Sequence, residues 1–208
     1  MIAVLDYGIG NLRSAEKALQ HVGADASLTD EPDLARSASG LVLPGVGAFG
    51  PCALALRRSG LAEVFLQAAA NGVPCLAVCV GLQLLFQTSE ESPRVPGLGL
   101  LPGAVRLLPS SVRRPHMQWN LVVPAPEAVT TPSLLLSEPE WYYFAHSYAV
   151  HCDPVCAAAV IASCDYGGAV TAAINHGSVV GTQFHPEKSG KAGLRLLARF
   201  AESCGELR

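Results

Sequence analysis

The chain of 208 residues suits one globular domain, 1–208, and with 50% hydrophobic and 15% charged residues it can bury a sizeable core. A formal net charge of −3 without a basic run argues against a nucleic-acid partner, and no apolar stretch reaches the ~18 residues of a membrane span. Seven cysteines without CxxC spacing do not make a secreted disulfide framework, and the N-terminus lacks the basic start of a signal peptide, so a cytoplasmic location is expected.

In chain order, Ile2–Leu5 reads as a short buried strand, followed by the turn Asp6-Tyr-Gly-Ile-Gly-Asn11 and a helical spacing of Leu12, Ala15, Leu19 and Val22. The next strands are 26–28 and Gly40–Leu43, the latter running into Pro44-Gly-Val-Gly-Ala-Phe-Gly50. Helical patterns over 52–58 and 61–71 stop at Gly72-Val-Pro74, and Cys75–Val78 is a further buried strand. From about Leu98 the character changes to short β-like runs, 103–108, 120–123, 141–148, 155–163, 170–175 and 179–184, divided by turn signals. A closing helix over 190–203 is expected to bury Leu194, Leu197, Phe200 and Ala201. This alternation predicts an α/β fold: a single open, mostly parallel central sheet flanked by helices, with additional antiparallel strands in the C-terminal half.

Cys75 and Cys79 stand four apart in apolar sequence. Cys79 follows the strand 75–78 and precedes a helical pattern of Gly81, Leu84 and Leu85. That places it at the C-terminal edge of a parallel sheet, where α/β proteins bind ligands, and at a helix N-terminus, whose partial positive charge favours a thiolate. Ala77 and Gly81 complete Ala-x-Cys-x-Gly, close to the small-x-nucleophile-x-Gly elbow of hydrolytic α/β enzymes. From this stretch alone Cys79 reads as a buried thiol or as a nucleophile, and Cys75 as strand packing. A metal pair would need both thiols to converge with further ligands.

In Gly181-Thr-Gln-Phe-His-Pro-Glu-Lys188, His185 and Glu187 sit two apart, and an extended segment, favoured at His185 by Pro186, would point them the same way. A carboxylate accepting from one imidazole nitrogen while the other faces a thiol is the nucleophile, base and orienter set of acyl transfer. A surface turn is the other reading of His-Pro-Glu. His151, Cys152, Cys156 and Cys164 lack the paired spacing of a zinc site and read as core cysteines, while Gly8-Ile-Gly10 lacks the third glycine of a dinucleotide fingerprint.

Cys79-Val-Gly-Leu-Gln83 together with Gln183-Phe-His-Pro-Glu187 resembles the class I (triad) glutamine amidotransferase family. Further segments carry the resemblance nearly end to end: Asp6-Tyr-Gly-Ile-Gly-Asn-Leu-Arg13, Leu43-Pro-Gly-Val-Gly-Ala-Phe-Gly50, Gly97-Leu-Gly-Leu100, Pro115-His-Met-Gln-Trp-Asn120, Phe144-Ala-His-Ser-Tyr148 and Thr182-Gln-Phe-His-Pro-Glu-Lys-Ser189. The first and the His-Met-x-Trp-Asn segment select the branch of glutaminase subunits that supply a (β/α)8-barrel cyclase in histidine biosynthesis.

The resemblance implies that Cys79 attacks the side-chain amide of glutamine to give a thioester and ammonia, with His185 moving protons and Glu187 orienting it. It implies an oxyanion hole from the N–H of Val80 and of Val46 or Gly47, with Gly45 and Gly47 permitting unusual backbone angles. Substrate contacts are implied at Gly45, Gln83, His146, Ser147 and Tyr148. A heterodimer with the cyclase is implied, with Asn11, Trp119, Asn120, Tyr143 and Lys188 facing it and an oxyanion loop that waits for it; no cofactor and no metal are expected. Two positions depart from the family pattern, Ala77 and Gln118, each where glycine is usual. The other readings are the glutaminase of a pyridoxal 5'-phosphate or anthranilate synthase, and a non-catalytic binding or regulatory module of the same fold.

Overall fold

The structure is a computed structural model that describes residues 1–10, 12–126, 136–152 and 154–207. Three strands, β1 (Ile2–Leu5), β3 (Gly40–Leu43) and β4 (Cys75–Val78), are buried at every residue, as expected of parallel strands covered on both faces. With β2 (Ala26–Thr29) and β12 (Val179–Thr182) they form the parallel half of a nine-stranded sheet in the order β2-β1-β3-β4-β12. The sheet continues antiparallel through β11 (Ala169–His176), β10 (Val160–Asp165), β7 (His116–Pro124) and β8 (Glu140–His146).

Helix α1 (Arg13–His21) buries Ala15 and Leu19 and packs against α6 (Gly190–Ser203). A second helical group joins α2 (Pro32–Arg36), α3 (Phe49–Arg58), α4 (Leu61–Ala70) and the short α5 (Val80–Leu84). In α6 the side chain of Leu196 is buried, whereas Leu194 is only half-buried, so the expected core face is turned by part of a residue step.

Three features differ from the expectation. A separate three-stranded sheet joins β5 (Phe86–Ser89), β6 (Leu101–Leu107) and β9 (Tyr148–His151). The run 141–148 is therefore not one strand: the chain leaves the large sheet after His146 and enters the small one at Tyr148, switching at Ser147. The run 155–163 begins with a 3-10 turn, Pro154–Ala159, before β10 starts; Pro154 has no N–H to give a sheet ladder, and the alanines lack the branched side chains that favour strands. Cys152, just before this turn, and Cys156, within it, are joined as a disulfide, in place of the two separate core thiols expected; Cys164 is buried and free. Among the described residues no helix is long and apolar enough to cross a membrane, and no His, Cys, Asp and Glu side chains group as metal ligands.

The parallel pairing of β4 with β12 positions the site. Their register runs Cys75↔Val179 to Val78↔Thr182, and the N–H of Cys79 continues the ladder by donating to the Thr182 carbonyl at 2.7 Å. The chain then turns into α5 within one residue. Gly81 makes that turn possible, because a Cβ there would lie 2.1 Å from the Leu43 carbonyl oxygen. Ala77, in place of the family's usual glycine, is fully buried between Leu43 and Gly181 of the neighbouring strands.

Candidate active site

Cys79 has φ 53° and ψ −107°, and it is the only non-glycine residue with positive φ among those described. Such a conformation costs on the order of 1–3 kcal/mol and persists only where the surroundings impose it. Here they do: the strand ladder holds the Cys79 N–H, and the Cys79 carbonyl accepts from the Gln83 N–H, so the residue is fixed on both sides of the turn. Its side chain lines a cavity of about 350 Å³ together with Val46, Gly47, Val80, Gln83, His146 and His185. Ser147, Tyr148 and Lys188 also border this cavity, as do Glu91, Pro115 and Ala145.

His185 follows β12 and is fully buried at its backbone anchors. Its N–H donates to the Tyr143 carbonyl at 2.9 Å, and its carbonyl accepts from Ser189 Oγ at 2.7 Å. Nδ1 donates to Glu187 Oε1 at 2.8 Å, which leaves Nε2 for the thiol. Burial opposes a charged imidazole, but hydrogen bonds to Cys79 and Glu187, and their charges, outweigh it and push His185 up to about 10. The geometry behind the His185–Glu187 pair is not the one expected. Only His185 is extended, while Pro186–Lys188 form a 3-10 turn that swings Glu187 back beneath the imidazole. The segment is a turn, but His185 and Pro186 are buried and Glu187 nearly so, so it is not the surface turn of the other reading.

The Gly-rich segment after β3 lies against the elbow. Val80 N–H donates to the Gly45 carbonyl at 3.3 Å, so the first donor expected for an oxyanion hole is already engaged. Gly45 has no positive φ; it is required because a Cβ would meet Gly81 N at 2.6 Å and Val80 Cβ at 2.8 Å. Gly47 does adopt φ +105°. The loop is tied down from outside by Tyr7, whose hydroxyl donates to the Pro44 carbonyl at 2.7 Å, and by Cys52, whose thiol donates to the Val46 carbonyl at 3.6 Å. Gly45 does not reach the main cavity; with Glu187 it borders a smaller one behind it.

Two buried histidines back the cavity. His146 Nδ1 must donate to the Tyr148 carbonyl at 2.9 Å, so its Nε2 accepts from His116 Nδ1 at 3.1 Å. His116 Nε2 then accepts from Asn120 Nδ2 at 3.3 Å, and its ring is stacked between Phe144 and Tyr166. Both imidazoles are therefore neutral. Burial lowers His116 to about 4; burial and the neighbouring His116 and His185 lower His146 to about 3, against the bond to Tyr148.

Of the residues expected to face a partner, Trp119 is exposed and edge-on to Tyr143, Asn120 is half-buried, and Lys188 stands exposed at the cavity rim. Asn11 lies outside the described residues. Gln118 is exposed on β7. Sequence reading passed over Glu91, whose carboxylate accepts from the Phe49 N–H at 2.7 Å while bordering the cavity, and the pairing of His116 with His146. Neither carries a local motif: a loop glutamate beside another glutamate has no signal of its own, and the two histidines meet only through the β7–β8 register.

The arrangement can move a proton from a thiol to an imidazole held by a carboxylate, beside a cavity large enough for an amino acid. Comparison with known proteins agrees with it. The family model for glutamine amidotransferase class-I matches residues 3–204. The imidazole glycerol phosphate synthase subunit HisH of Methanothermobacter thermautotrophicus is 46% identical over 204 residues, covering 97% of this chain and 98% of that protein. The protein of the same name from Symbiobacterium thermophilum is 44% identical over 206 residues, covering 99% and 95%. A crystal structure of a glutamine amidotransferase superposes with a TM-score of 0.75 at 20% identity, covering 98% of both chains.

The buried histidine pair makes stability depend on pH. Both groups have folded values below the ~6.5 of an unfolded histidine, so the unfolded chain takes up protons first, and stability present above about pH 6.5 is lost as pH falls toward 4. Denaturant unfolding at pH 7 and pH 4.5 is expected to show a loss on the order of 2 kcal/mol greater for wild type than for His116→Phe, which keeps the ring stack. Equal losses would mean that His116 does not titrate in this window.

Proposed function

Because the chain belongs to the class I glutamine amidotransferase family, we propose that it is the glutaminase subunit of an imidazole glycerol phosphate synthase, hydrolysing glutamine and delivering the ammonia to a cyclase subunit in histidine biosynthesis. The observation that carries the reading is Cys79 held at φ 53° in the cavity that His185 enters, with Glu187 2.8 Å behind the imidazole.

In the first step the proton of the Cys79 thiol passes to His185 Nε2, a transfer that the raised value of His185 favours, and the sulfur bonds to the amide carbon while the carbonyl electron pair moves onto oxygen. The C–N bond then breaks as His185 returns the proton to nitrogen, releasing ammonia and leaving a γ-glutamyl thioester. Water gives a proton to His185 and attacks the thioester carbon. The C–S bond breaks, the sulfur takes the proton back, and glutamate leaves. Glu187 stabilises the imidazolium that forms twice in this cycle. Gln83, His146, Ser147 and Tyr148 surround the amino-acid end of the substrate, and the Glu91 carboxylate suits its ammonium group.

The oxyanion needs donors that the resting loop does not offer, since Val80 N–H is bonded to Gly45. Val80 together with Val46 or Gly47 forms the hole once the Gly45 carbonyl turns away. Removing one such donor typically costs a factor of roughly 10²–10³ in rate, so the isolated chain is a poor glutaminase and binding of the (β/α)8-barrel cyclase in a heterodimer frees the donor. The docking face is an apolar stripe of alternate β7 residues, Met117, Trp119, Leu121 and Val123, with Trp141 opposite Leu121. Four exposed apolar side chains in one row are more than a free surface usually carries.

Two outcomes are expected with purified components. In the reconstituted complex Cys79→Ala abolishes glutamine-dependent product formation and leaves ammonia-dependent formation within about twofold; unchanged use of glutamine would support a regulatory module. Glutamine turnover by the chain alone is low and rises roughly 10²-fold or more with the cyclase and its ligand, the scale of one restored oxyanion donor; high turnover without the cyclase would show the hole to be open at rest.

A further inference from the structure

Gln183 follows β12 and is fully buried. Its carboxamide lies between two groups of the site: Nε2 is 3.6 Å from Cys79 Sγ, and Oε1 is 3.2 Å from Gln83 Nε2. The two ends of a carboxamide have nearly the same shape, so its orientation has to follow from its neighbours. The Tyr148 carbonyl settles it. A carbonyl can only accept, and Gln83 lies 2.8 Å from it, so Gln83 presents its NH₂ group there. The same NH₂ faces Gln183, which must answer with oxygen. The NH₂ of Gln183 is then left facing the sulfur.

The anchor of this chain is itself held. His146 Nδ1–H donates to the same Tyr148 carbonyl, and His116 and Asn120 fix the tautomer of His146 from behind. Just past β12, Gln183 donates its backbone N–H to the Ala172 carbonyl of the neighbouring β11 at 2.8 Å. A flipped Gln183 would set NH₂ against NH₂ at one end and oxygen against sulfur at the other.

We propose that Gln183 is a further catalytic group of the glutaminase: an N–H donor to the Cys79 sulfur that stabilises the negative charge the sulfur carries when it attacks the amide and when it leaves the thioester. The inference rests on Cys79 being the nucleophile. His185 cannot fill this role throughout, because it must turn the proton it took from sulfur toward the departing nitrogen. A carboxamide neither gains nor loses a proton in this pH range and stays on the sulfur while the imidazole moves its proton.

The test is the rate at which iodoacetamide, a neutral reagent, alkylates Cys79 in the full chain at pH 7, located by mass spectrometry. In Gln183→Leu and in Gln183→Glu the rate is expected to fall roughly 10- to 100-fold, the loss of one hydrogen bond to a charged atom. Gln183→Glu keeps both the shape and the oxygen facing Gln83. The buried Cys52, Cys75, Cys164 and Cys204 serve as the internal report on folding, since they stay unlabelled while the fold is intact. A rate within about twofold of wild type in either folded variant overturns the proposal, and if Gln183→Leu exposes the four thiols the isosteric Gln183→Glu decides alone. Wild-type Cys79 that resists alkylation altogether would instead remove the nucleophile reading, and this proposal with it.

Discussion

The contact on which the rest depends is the parallel pairing of β4 with β12. Two strands far apart in sequence, 75–78 and 179–182, are brought side by side so that the residues just past their C-terminal ends share one sheet edge. One strand delivers a cysteine and the other a histidine, and neither could be placed so closely by a local turn. The ladder hydrogen bond from Cys79 N–H to the Thr182 carbonyl extends the pairing into the elbow and holds the cysteine in its unfavourable backbone conformation. The strained backbone of Cys79 is thus held by the fully buried β4 and its largely buried neighbour β12.

Around that edge, polar groups are satisfied in a definite direction. Donors and acceptors run from Asn120 through His116 and His146 to the Tyr148 carbonyl, and from Gln83 through Gln183 to the sulfur. Buried networks of this kind specify one arrangement because every alternative leaves a polar group unpaired. The Gly-rich loop after β3 is satisfied in the same sense: Gly45 takes the Val80 N–H, while Tyr7 and Cys52 hold the carbonyls of Pro44 and Val46. On the proposed mechanism, freeing the Val80 donor requires a partner to offer more than the bond it displaces.

Much of this was legible in the sequence, and the rest was hidden for identifiable reasons. The continuous apolar runs 2–5, 40–43 and 75–78 are parallel strands because nothing polar interrupts them, and the cysteine at the last run's end sits at the elbow as its small neighbours require. His185 and Glu187 do pair, but through a 3-10 turn in place of an extended segment, since spacing alone does not distinguish the two geometries. The split of 141–148 between two sheets could not be read locally, because both halves are equally strand-like and only Leu108, bonding to the Ser147 carbonyl, marks the switch. Gln183 and Glu91 meet groups about 100 and 40 residues away, at Cys79 and Phe49. No window of sequence contains such pairs.

The central claim is that Cys79 forms a covalent bond to the carbonyl carbon of the substrate's side-chain amide, and it is tested most directly by trapping. A diazoketone analogue of glutamine, incubated with the chain together with the proposed cyclase subunit, should modify Cys79 stoichiometrically, and peptide mass spectrometry should find Cys52, Cys75, Cys164 and Cys204 unmodified. Modification at another residue, or none at Cys79 in the assembled complex, would contradict the account.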